Sequence, residues 1–148
     1  MAKTLGYMVT WTTYGSWLQG DERGYVKKGK VLGANRSLRE VNVAKQAGKT
    51  VKLTRQEQET VRKAIESEAE RLVRKIYSMT ICHNHVHIVV NYTGEPIELF
   101  VGHCKNSARV TLRANGFSGR VWTRGYDKRY CFDEKSLKDR IDYVRRHN

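Results

Sequence analysis

Hydrophobic and polar positions change period several times along this chain, and each change marks an element. "GYMVTWTTYG" (Gly6–Gly15) is dense in β-branched and aromatic residues and predicts a first strand. From Gly15 to about Lys52 periodicity is weak, glycines recur and lysine and arginine dominate. This stretch predicts a long, basic, largely irregular loop with a short helix around Leu38–Ala47. Thr54-x-x-Glu57 is a capping box, and Val61, Ile65 and Leu72 follow at helical spacing. Glu59/Lys63 and Glu70/Arg74 form i,i+4 pairs on the polar side, so this helix is expected to run to about Arg74. "KIYSMTIC" (Lys75–Cys82) and "HVHIVVNY" (His85–Tyr92) then predict two strands joined by a tight turn at His83-Asn84. A helix follows over Ile97–Asn115, with Gly116 as its stop. "RVWT" and "KRYCF" predict two short strands, the first more exposed. Asp133 then caps a last helix from about Glu134, with Leu137, Ile141 and Val144 on its apolar face.

The order of strand, helix, strand, strand, helix, strand and helix predicts an α+β fold, a ferredoxin-like antiparallel sheet sandwiched by helices. With 148 residues, one proline and no linker-like run, the chain is expected to form a single domain over 1–148. Composition adds a partner. Lys+Arg number 28 against 15 Asp+Glu, a net charge of +13, which attracts polyanions and nucleic acid first among them. The loop at about 15–52 is the natural place for such contacts, with Arg23, Lys27 and Lys28 as candidates. Cys82, Cys104 and Cys131 form no CxxC pair and are expected to be buried or partly buried free thiols of a reducing compartment. No apolar run reaches the length of a membrane span and no signal-peptide core opens the chain. The expected location is cytoplasmic, associated with the nucleoid.

Candidate chemistry lies in two places. In "HNHVHIVV", His85 and His87 share one strand face with Val89, about 7 Å between their Cα atoms, while Val86, Ile88 and Val90 face the other way. Two imidazoles on one face suit Mn, Zn and similar divalent ions, and such a pair leaves coordination positions for water or a phosphate oxygen. In "RIDYVRRHN", helical rotation puts Ser136, Arg140, Tyr143 and His147 on one stripe at the margin of the apolar face. His147 would then add a third nitrogen, and Tyr143 a phenol beside the ion. A phenol is a weak nucleophile while it keeps its proton. Metal charge and cations such as Arg140 favour the phenolate. Lys105, on the second helix, is a candidate for neutralising charge that develops on a scissile phosphate.

Histidine–hydrophobic–histidine on a strand, followed by one tyrosine on a C-terminal helix, resembles the single-tyrosine (Y1) HUH transposases. These are the IS200/IS605-type enzymes and the REP-associated tyrosine transposases. "NHVHIVV" is similar to the family's metal motif, "RIDYVRRHN" to its Asp-Tyr-Ile/Val helix, and "TWTTYGSWLQGDERG" to a common N-terminal stretch. The resemblance implies the HUH endonuclease/transposase fold, with His85 and His87 as metal ligands and Tyr143 as the nucleophile. Where the family often places Gln or Asn, four residues after the tyrosine, this chain has His147. The implied cofactor is Mg²⁺ or Mn²⁺. The implied partner is single-stranded DNA with hairpin structure, cut through a 5′-phosphotyrosine link and rejoined. Some members are homodimers that supply the tyrosine helix in trans.

Two other readings compete. His83-x-His85-x-His87 echoes the histidine-triad nucleotide hydrolases, in which the middle histidine attacks, although polar Asn84 breaks their alternation. The non-enzymatic alternative is a basic nucleic-acid-binding domain with a vestigial site.

Overall fold

The computed structural model describes residues 3–16 and 50–147, and the excursion predicted between 15 and 52, with its short helix, lies almost wholly outside them. Among the described residues, four antiparallel strands form one sheet: β1 (Gly6–Thr12), β2 (Ile76–Ile81), β3 (His85–Asn91) and β4 (Asp127–Cys131). Their order across the sheet is β2-β3-β1-β4. β1 therefore lies between β3 and β4, and each of the two crossover helices carries the chain past one strand. This is the split βαβ arrangement expected from the element order.

The crossover helices are α1 (Arg55–Arg71) and α2 (Ile97–Ala114), and the last helix is α3 (Glu134–Arg146). All seven residues of β1 are buried, because both of its faces are covered. Tyr7, Val9 and Trp11 join Val86, Ile88 and Val90 in the main core, with Val61 and Ile65 of α1 and Phe100, Val101, Cys104 and Leu112 of α2. On the opposite face, Met8 and Val89 pack with Val144 of α3, flanked by Leu137 and Ile141. The sheet is sandwiched: two helices on one side, the C-terminal helix on the other. Gly6 permits the second packing. A Cβ there would stand 2.8 Å from the Val90 carbonyl oxygen and 3.1 Å from Leu137 Cδ1.

The Thr54–Glu57 capping box is formed in both directions, Glu57 N–H donating to Thr54 Oγ1 at 3.1 Å and Thr54 N–H to Glu57 Oε1 at 2.9 Å. The helix ends at Arg71, three residues short of the expected Arg74. Val73 adopts a left-handed φ of 55°, a rare conformation for a β-branched residue. The reversal lets the Arg74 guanidinium turn inward and donate to the Asn91 and Glu95 carbonyls at 2.8 and 3.0 Å. "RVWT" also departs from expectation. It contributes one bridge, Thr13 to Trp122, and it is the more buried of the two segments, with Val121 and Trp122 in the core. Trp122 packs edge-on against Trp11 at 5.9 Å and donates its indole N–H to the Lys105 carbonyl at 2.9 Å. The three cysteines are free thiols; Cys104 and Cys131 are buried and Cys82 partly so. Among the described residues, no helix is long and apolar enough to cross a membrane.

Candidate active site

Sheet register and one helix anchor build the site. His87 pairs across the sheet with Thr10 of β1 and Thr80 of β2, so the three side chains form a row on the face that α3 covers. Thr80 donates from Oγ1 to the Val144 carbonyl at 2.6 Å. Val144 is itself fully buried against Met8 and Val89. That bond fixes the last turn of α3 over the start of β3, and it sits between Tyr143 and His147 on the helix.

Four rings converge there. His85 and His87 lie 4.7 Å apart between centroids; His147 is 5.5 Å from the first and 4.6 Å from the second. The Tyr143 ring is 5.8 Å from His87 and 5.0 Å from His147, and the residue is 39% exposed. One nitrogen from each of the three histidines falls within 4.8 Å of the others. Nitrogens sharing one ion at about 2.1 Å stand about 3.0–3.4 Å apart, so the rings must draw together by up to ~1.5 Å to hold it.

The hydrogen bonds leave the donor atoms open. His85 Nδ1 lies 2.8 Å from Asn84 Oδ1, an acceptor only, so the ring proton sits on Nδ1. Its Nε2 is buried and, among the described residues, has no hydrogen-bond partner, the state of a lone pair open to a ligand. His87 Nδ1 lies 2.8 Å from the buried Thr10 hydroxyl, which turns Nε2 toward the cluster. Burial, followed by the neighbouring imidazoles, pushes the His85 pKa down to about 4 and that of His87 to about 3. Both are neutral near pH 7, as metal ligation requires. The donor set therefore fits a divalent transition-type ion.

Other sequence candidates fall elsewhere. Lys105 is half-buried on α2, across the sheet from α3, and its ammonium donates to the Thr123 and Gly125 carbonyls at 2.9 Å each. Burial and then nearby Arg120 lower its pKa. Nothing among the described residues joins it to the histidines. Arg140 is partly buried one turn before Tyr143, and its charge acts on the Cys131 thiol of β4. Arg23, Lys27 and Lys28 lie outside the described residues. His83 is exposed and stands apart from the cluster of three.

Sequence reasoning missed Thr10, Thr80 and Asn84. The available signal was weak: threonines interrupt apolar strands at Thr10, Thr12 and Thr80, where a buried hydroxyl needs a partner. Which partner depends on cross-strand register, which local spacing does not carry.

Comparisons with known proteins bear on the family and the fold. Residues 38–147 match the family described as "Transposase IS200 like". Among solved structures, the fold is similar to a candidate transposase from Deinococcus radiodurans R1, with a TM-score of 0.54 and 13% identity over 100% of this chain and 94% of that one. It is also similar to a REP-associated tyrosine transposase bound to a REP hairpin, with a TM-score of 0.56 and 12% identity over 97% of this chain and 67% of the other. No curated protein sequence matches the chain.

Proposed function

Because the chain belongs to the IS200-like transposase family, a family of DNA-cutting and DNA-joining enzymes, we propose that it cleaves and rejoins single-stranded DNA at hairpin-marked sites through Tyr143. His85, His87 and His147 would hold a divalent ion; of the two the resemblance implies, three imidazoles favour Mn²⁺ over the oxygen-seeking Mg²⁺. The observation that carries the reading is the approach of one phenol ring to within 5.0 and 5.8 Å of two of the three clustered imidazoles. Hairpin recognition is drawn from the neighbour that is bound to a REP hairpin.

In this reading Tyr143 Oη attacks the scissile phosphorus and loses its proton to solvent. The new bond links the phenol to the 5′-phosphate, and the bond to the 3′-oxygen breaks; that oxygen takes up a proton and leaves as a 3′-hydroxyl. Attack by a 3′-hydroxyl on the phosphotyrosine reverses the exchange without a nucleotide cofactor, because one phosphodiester replaces another. A divalent ion, when bound, supplies Lewis-acid polarisation of the phosphate. The protein's part is orientation. The Thr80 bond holds the last turn of α3 over the sheet, Asn84 sets the His85 tautomer, Thr10 orients the His87 ring, and α3 shields one side of the site.

The test is a covalent adduct. Hairpin-bearing single-stranded DNA incubated with the protein and Mn²⁺ should give a denaturation-resistant complex, absent in Tyr143→Phe while DNA binding persists. An adduct surviving in the phenylalanine variant removes Tyr143 from its role. His147→Ala should weaken Mn²⁺ binding by at least about 10-fold, measured by titration calorimetry. Unchanged affinity removes the third ligand.

A further inference from the structure

A cleft of about 540 Å³ opens beside the histidine cluster, with His147 in its wall. One side is a single stripe of α1, where Arg55, Gln58, Glu59 and Arg62 follow at i, i+3, i+4 and i+7. The other side is the end of β2 and the turn carrying His83. The walls are tied together, because Leu53 N–H, just before the helix cap, donates to the His83 carbonyl at 2.7 Å. Gln58 Nε2 donates to the Leu53 carbonyl at 2.9 Å, leaving its Oε1 as an acceptor. The cleft is thus pre-formed, and its volume lies in the range of about 300–1,000 Å³ typical of small-ligand sites.

Its charge suits a polyanion. Among the described residues, the Arg55 and Arg62 guanidiniums make no ion pair or hydrogen bond, and Glu59 opposes only one of the two charges. The start of α1 adds the positive end of a 17-residue helix dipole. Guanidinium forks match phosphate oxygens. The position matters as much as the charge. Any chain seated in this cleft passes His147, and therefore the place where a scissile phosphate must lie.

Resting on the transposase reading above, we propose that the cleft seats the single-stranded nucleotides next to the scissile phosphate, with their backbone phosphates on Arg55 and Arg62. The cleft then aligns the strand for cutting, separately from whatever surface grips the hairpin stem. Neither arginine touches the reacting atoms; both are substrate-positioning residues.

The experiment compares the full chain with its Arg55→Gln/Arg62→Gln variant, on a hairpin carrying both single-stranded flanks, on hairpins lacking either flank, and on the bare stem. Binding is read by fluorescence anisotropy without metal across a salt series, and cleavage by adduct formation with Mn²⁺. The variant should bind the doubly flanked DNA several-fold more weakly and the bare stem as the parent does. Its salt slope should shrink by about 1.4, the share of two phosphate contacts on a single strand. KM should rise with kcat and Mn²⁺ affinity unchanged, and removing the relevant flank should erase the difference between the two proteins. Equal affinity for flanked DNA overturns the proposal, as does an equal loss on the bare stem. Failure of the parent to form any adduct overturns the transposase reading instead, and the metal-free binding series still decides the cleft.

Discussion

At the residue scale, the two strand histidines are defined by what they lack. Burial and mutual repulsion hold them neutral, with pKa values near 4 and 3 against 6.5 in an unfolded chain. Between those values the unfolded chain binds more protons, so acid favours unfolding. Without metal, the melting temperature should therefore be highest near pH 7 and fall as pH drops toward 4. The His85→Asn/His87→Asn double variant should flatten that fall; an equally steep profile would assign the loss to carboxylates. Thr10→Val keeps the shape of the side chain but removes the hydroxyl from His87 Nδ1. It should lower Mn²⁺ affinity by about 10- to 100-fold, as measured by calorimetry, while circular dichroism stays unchanged. Strand and helix periods are local rules, and they put His85 with His87 on one strand face and Tyr143 with His147 on one helix stripe; the resemblance, rather than the stripe, singled out Tyr143. Their supports were not legible. Thr10 stands 77 positions from His87 and Thr80 stands 64 from Val144, so those contacts exist only once the register is set.

At the element scale, α3 behaves as a separately fastened part. Its hold on the sheet includes Val144, Leu137 and Ile141 packed with Met8, Val89 and Tyr77, one hydroxyl bond from Thr80, the close approach at Gly6, and the ring contacts of Tyr143 and His147 with the strand histidines. Thr80→Val should cost about 1 kcal/mol and speed amide exchange in α3 while leaving β3 and β1 protected. Uniform acceleration across the sheet would deny the helix this independence. The element boundaries carry a related lesson. Capping signals at Thr54, Asp133 and Gly116 placed their helix ends correctly, because capping chemistry is written within four residues. The end of α1 falls short of its local signals, because the Arg74 guanidinium is drawn to carbonyls of Asn91 and Glu95, far along the chain. "RVWT" is more buried than its local pattern implies for the same reason. Its burial depends on Trp11, more than a hundred residues earlier.

At the scale of the whole molecule, a charge of +13 sets the terms of any encounter with DNA. Affinity for a hairpin-bearing strand should fall steeply with salt. For six to ten phosphate contacts the loss between 50 and 200 mM is about 10³- to 10⁵-fold, and anisotropy titrations would measure it. A change below tenfold would mean that shape or bases, rather than phosphates, dominate binding. The division of the three imidazoles between two parts of the fold has one more result. Two belong to the sheet and one to the last turn of the final helix. An ion held by all three would act as a clasp, closing the chain from His87 to His147 into a loop and resisting the fraying of the very segment that carries the phenol. Added Mn²⁺ should then raise the melting temperature in proportion to the logarithm of its concentration, and a chelator should return that tail to rapid exchange.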